Sequence, residues 1–193
     1  MIGCSTGRTG WMAASARVVI GLVLLTLVGC NPTPTEPTTV PTTAQQPAGA
    51  ADGFAIYLLA GDVPPDRLAA LSHLELQDSP LLTGDDVVFY AWETHEIDLT
   101  ASGVEAIRGL VVPVNGKSFA VCVDGQPIYA GAFWASYSSL SFDGVVIETT
   151  LVSDDDPLIR IELGYPGADF FRGPDPRPDT RVLLALEQAG KLK

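Results

Sequence analysis

Residues 119–131 read FAVCVDGQPIYAG, and this stretch decides the fold. Two apolar runs flank Asp124-Gly125, a dipeptide suited to a tight hairpin turn because both central positions need positive φ. The segment therefore predicts an antiparallel strand pair in the middle of the folded part.

Upstream, residues 54–60 (FAIYLLA) form an apolar run rich in aromatic and branched side chains, read as a buried strand. Gly61-Asp62 turns the chain, and Pro64-Pro65 suits a helix start, where no backbone donor is needed. Leu68, Leu71 and Leu74 then fall on one side of a short helix. Thr83 with Asp86 three residues later spells a capping box, read as a single capped turn. Residues 87–92 and 95–99 are predicted strands. Thr100 caps a helix through Gly109, with Val104, Ile107 and Leu110 inward.

Residues 111–118 are predicted loop. Downstream, 144–150 and 158–163 supply two more strands, separated by an acidic turn at 153–157. Residues 164–178 are rich in proline and glycine and read as irregular. Asp179 caps a last helix, 180–189, which ends at Gly190. The whole predicts one α+β domain over 54–193, with a mainly antiparallel sheet and about three short helices. At about 140 residues it is long enough to bury a core of its own.

The N-terminal part has a different composition. Residues 18–28 read VVIGLVLLTLV, preceded by Arg8 and Arg17, with no acidic residue before Cys30. A basic flank, a short apolar run and small Gly29 make an export signal over 1–29. The run is too short for a comfortable spanning helix, which needs about 20 apolar residues. Either Met1 or Met12 could start translation, since Arg17 alone supplies a positive flank. Residues 30–53 alternate proline and threonine and lack aromatics, so they are predicted to be a disordered, extended linker of roughly 3 Å per residue.

Leu27, Val28, Gly29 and Cys30 resemble the lipobox of bacterial lipoproteins. The resemblance implies that the Cys30 thiol takes a diacylglyceryl group, that the leader is cut just before it, and that acyl chains such as palmitate complete the anchor. It places the protein in the bacterial cell envelope, on the outer side of the cytoplasmic membrane or in the outer membrane. The residue after the cysteine, Asn31, is not the aspartate associated with inner-membrane retention in that family. The membrane is thus an expected partner through lipid on Cys30.

The chain of 193 residues carries a formal charge of −12, more negative by two once the leader with Arg8 and Arg17 is gone. Such acidity repels phosphate backbones, so no nucleic acid partner is expected. Cys4 leaves with the leader and Cys30 carries lipid, so Cys122 is the remaining thiol and no disulfide framework is expected.

A second resemblance lies within the domain. Residues 81–87 (LLTGDDV), a strand, a helix containing Gly103, residues 115–131 (NGKSFAVCVDGQPIYAG) and 142–148 (FDGVVIE) follow one another in an order similar to the periplasmic head region of the SecD/SecF protein-export family. The similarity covers 81–148 and implies that fold and a surface touching extended or unfolded polypeptide. Those export proteins carry their proton pathway in membrane spans not found in this sequence, so proton-driven transport does not carry over. Where the family has a proline soon after the hairpin, this chain has Gly131-Ala132-Phe133-Trp134.

Chemistry-bearing residues are sparse. If alternation held through Trp92-Glu93-Thr94-His95-Glu96, Glu93 and His95 would share a face and a carboxylate could orient an imidazole; a hairpin turn with a surface histidine is the simpler reading. His73, His95 and Cys122 lack metal-ligand spacing, and Cys122 reads as an inert core thiol. Asp154-Asp155-Asp156 lacks the alternating ligands of a calcium loop and reads as a solvated turn. From residue 54 onward no G-x-S-x-G, H-E-x-x-H or glycine-rich phosphate loop occurs. No catalytic residue, metal or cofactor is assigned. The candidate binding surface is aromatic: Tyr129, Phe133, Trp134 and Tyr137 around a serine-rich bend, with Tyr165, Phe170 and Phe171 in the later loop. Together these would line a groove for a protein or peptide partner, or alternatively for a small ligand or an unfamiliar reaction. Packing over the sheet as core is the other reading of the same residues.

Overall fold

The computed structural model describes residues 51–193. The expected export signal, lipobox and linker, up to residue 50, lie outside the described residues. Eight strands form one sheet: β1 (Phe54–Leu58), β2 (Leu82–Thr83), β3 (Val87–Ala91), β4 (Glu96–Leu99), β5 (Lys117–Val123), β6 (Gln126–Trp134), β7 (Phe142–Glu148) and β8 (Leu158–Tyr165). Their order is β2-β1-β5-β6-β7-β8-β4-β3. Every pair is antiparallel except β6 with β7. Helices α1 (Ala101–Arg108) and α2 (Thr180–Gln188), with short 3-10 turns, complete the α+β domain that the sequence predicts.

The two ends of the strand order, β2 and β3, are joined by the three-residue turn Gly84–Asp86. So short a link forces the sheet to curl until its ends approach. The predicted capping box holds this link: the Thr83 amide and hydroxyl both donate to the Asp86 carboxylate, at 2.9 and 3.0 Å. The Asp86 carbonyl accepts from the Thr100 amide, which ties the link to the start of α1.

The curled sheet packs Phe54, Ile56, Phe119, Val121, Phe133, Val145, Ile147, Ile159 and Ile161 into its main core. Helix α1 adds Val104 and Ile107, and α2 adds Val182, Ala185 and Leu186. Alternate residues of β1 and β5 face the other way. There Ala55, Tyr57, Leu59, Ala120 and Cys122 are covered by Leu68, Leu74 and Leu76 of the long β1–β2 connection. Both faces of β1 are therefore buried, which explains its unbroken apolar sequence.

Several boundaries differ from the sequence expectations. Ala51 and Gly53 belong to the domain: the Ala51 amide donates to the Tyr57 hydroxyl at 2.8 Å, and the Gly53 amide to the Asp124 carboxylate at 2.7 Å. The helix expected to align Leu68, Leu71 and Leu74 is a 3-10 turn, Pro65–Ala70. The turn stops before Leu71, whose backbone is extended and whose side chain is exposed, while Leu68 and Leu74 pack inward. β5 begins inside the predicted loop, at Lys117, and β8 runs into the predicted irregular stretch as far as Tyr165. The serine-rich bend is a crossover, because β6 and β7 run parallel. Past α2 the C-terminus lies along β3, with Tyr90 exchanging backbone bonds with Lys191 and Lys193 at 2.7 and 2.9 Å. This covers what would otherwise be an open sheet edge.

Candidate functional site

Most of the candidate aromatic surface is interior. Tyr129 and Phe133 point into the main core, with Phe133 against Phe119 at 4.8 Å between centroids. Trp134 is buried on the outer face, stacked on Phe142 at 5.4 Å and tilted against Tyr165 at 5.6 Å. The two aromatic groups thus do meet, through Trp134 and Tyr165, but as packing over the sheet and not as a groove. The Tyr165 hydroxyl donates to the Ser136 carbonyl at 2.9 Å, which fastens the crossover loop down. Phe171 is half-buried against the main core, and Phe170 is 44% exposed on a 3-10 turn. Of the seven, Tyr137 is the most open, at 70%.

Tyr137 has neighbours that sequence reading missed. The Ser138 hydroxyl donates to the Val114 carbonyl, and the Leu140 amide donates to the Ser138 hydroxyl at 3.2 Å. The first bond joins the crossover loop to the loop preceding β5, and the second braces the crossover loop internally. Together the two loops expose Val111 at 83%, Val114 at 57%, Tyr137 at 70% and Leu140 at 47%. The platform beneath is tight, since a Cβ on Gly116 would lie 2.5 Å from the Trp134 indole. Isolated apolar residues in loops carry no periodicity, so only the fold reveals that their two loops are joined.

Beside this surface is a cleft of about 320 Å³, bounded by Val63, Pro64, Val111, Pro113 and Asn115 and containing Lys117. The Lys117 ammonium lies 2.8 Å from the Asp62 carboxylate. The hydrogen bond from Lys117, and then its charge, hold the Asp62 carboxyl below its ordinary range.

The described chain begins elsewhere, at Ala51. Gly53 pairs with Asp124 at the hairpin end of β5, whereas Val114 and Lys117 lie at its beginning. At about 3.3 Å per strand residue the two ends are roughly 20 Å apart. The exposed apolar loops therefore lie at the other end of β5 from Gly53.

The Trp92–Glu96 cluster does not form the expected pair. Glu93 is exposed in the turn between β3 and β4, and His95 turns inward with φ 54°. Tyr90, not Glu93, shares a 2.9 Å hydrogen bond with His95 Nδ1. Trp92 packs edge-on to the imidazole at 5.7 Å. Burial, reinforced by the Arg177 charge and opposed by Asp175, lowers the His95 pKa. Folding thus favours the neutral imidazole, while an unfolded chain protonates near pH 6.5. This contribution is complete above that value and declines as pH falls through the folded pKa. Thermal stability should accordingly drop as pH falls below about 6.5, and His95→Asn, which tolerates positive φ, should flatten that slope. Parallel melting curves of the two proteins, equal in slope, would contradict the assignment.

Burial pushes the Cys122 thiol up to about 12, consistent with an inert core position. His73 and Asp154 to Asp156 are exposed, and Asp154 pairs with Arg108 at 3.4 Å. Among the described residues no group of three His, Cys, Asp or Glu could hold a metal ion, and no helix is long and apolar enough to cross a membrane. No family model, curated protein or solved structure matches this chain.

Proposed function

We propose that this protein is a lipid-anchored, extracytoplasmic accessory module that binds polypeptide. The observation that carries the reading is the set Val111, Val114, Tyr137 and Leu140: large apolar side chains exposed on two loops that the Ser138–Val114 hydrogen bond joins. Large apolar side chains held in the open on neighbouring loops suit an interaction site. Because the loops are already held in place, a partner meets an ordered surface and less entropy is lost on binding. The lipobox at Leu27 to Cys30 supports the anchor, and the resemblance of residues 81–148 to an export-protein head supports a chain-shaped partner. Burial of Tyr129, Phe133 and Trp134 weighs against a small-ligand groove built from those aromatics.

Binding of a fluorescent, extended apolar peptide tests the reading. Tyr137→Ser combined with Leu140→Ser should weaken it about tenfold or more, the scale of a central aromatic anchor. Both residues lie outside the cores, so melting temperature should hardly change. Unaltered affinity in the double variant would remove the surface from consideration.

A further inference from the structure

The cleft next to the apolar loops has a more specific chemistry. Its lining combines apolar Val63, Pro64, Val111 and Pro113 with polar Asn115 and Ser118, and its cation is Lys117. The lysine side chain is only 24% exposed, whereas its Asp62 partner is 84% exposed. The ammonium is therefore built in, and its counter-charge sits out in solvent on the turn Ala60–Asp62. An exposed carboxylate is weakly held and readily exchanged for another. Asn115 also lines the cleft, and its side-chain amide bonds to no described residue.

We propose that this cleft receives the C-terminal carboxylate of an apolar polypeptide. The proposal rests on the polypeptide-binding reading above and names the part of the chain that is recognised. The terminal carboxylate takes the place of the Asp62 carboxylate on Lys117. The last side chain lies between Pro64 and Pro113, and Asn115 hydrogen-bonds the last peptide group. Residues before it lie over Val114, Tyr137 and Leu140. Charge complementarity selects a carboxylate, since an ammonium-terminated or amidated end that displaced Asp62 would leave the mostly buried lysine without an anion. Size selects a chain end, because about 320 Å³ is at the small limit of ligand pockets and suits one or two residues. Capture of a chain terminus by fixed polar groups is an established recognition mode.

The test uses the full-length lipidated protein in nonionic detergent and the labelled peptide Gly-Ala-Val-Leu-Val, as free acid and as C-terminal amide. The acid should bind about tenfold more tightly than the amide, as expected for a charge-assisted contact. Lys117→Gln should bring the acid down to the amide's level. Asp62→Asn, which removes the competing carboxylate, should tighten the acid several-fold and leave the amide unchanged. Equal binding of acid and amide, still lost in the Tyr137/Leu140 double variant, would overturn carboxylate capture while leaving polypeptide binding intact. Binding of neither peptide would overturn both readings. Octanoate competing as well as the pentapeptide acid would replace the chain end with a free carboxylic acid as the ligand.

Discussion

Gly131→Ala should lower stability by about 3 kcal/mol, at the upper end of what overpacking a well-filled site costs. Gly131 sits on β6 directly opposite Val145 of β7, in the one parallel pairing of the sheet. A Cβ there would be 2.6 Å from the Val145 carbonyl oxygen and 2.6 Å from the Phe119 ring. The ring lies in the main core, and the carbonyl belongs to the neighbouring backbone, so neither can retreat cheaply. For a domain of this size the loss corresponds to roughly 10 °C in melting temperature. Gly167→Ala is the matched control. A Cβ at Gly167 meets nothing within 4 Å, and its φ of 178° is ordinary extended backbone. Circular-dichroism melts of the two variants should separate clearly, and a Gly131→Ala curve overlying wild type would show that the β6–β7 pairing is misassigned.

Cys30→Ala should abolish attachment altogether. In the proposed anchoring scheme the thioether carries the lipid, and cleavage follows lipidation, so the variant should keep its leader and carry no acyl chain. One acyl chain holds a protein marginally and two hold it stably, at about 0.8 kcal/mol per buried methylene. The effect should therefore be all-or-none: the wild-type mature protein partitions with detergent, and the variant, freed of its leader by protease, stays in the aqueous phase. Intact-mass measurement reads both events at once. An unmodified mature N-terminus at some residue other than 30 would refute the scheme. The same preparation checks the domain boundary. Brief proteolysis should release a fragment starting near Ala51, because Ala51 and Gly53 are hydrogen-bonded to Tyr57 and Asp124.

What the local sequence encodes well are features whose partners lie within a few residues. Thr83 and Asp86 form their box, and Thr100 and Asp179 cap α1 and α2. Asp124 and Gly125 take the positive φ the hairpin turn requires. Each of these depends on backbone geometry over a few residues, which residue identity can state directly. The Trp92–Glu96 stretch shows the limit. Strand alternation would put Glu93 and His95 on one face, but the turn places His95 in the left-handed region and rotates its ring inward toward Tyr90.

By itself the sequence determined the α+β class, a mainly antiparallel sheet around the 119–131 hairpin, and the ends of both helices. Tertiary structure alone decided that the sheet curls, that β6 and β7 run parallel, and that Trp134 and Tyr165 are packing residues while Tyr137 stays outside. It also alone brought Val114 to Ser138 and Asp62 to Lys117. The reason is that capping and turn chemistry act over a few bonds. Which face of an aromatic run meets solvent depends instead on what the distant chain lays over it, and no periodicity records that.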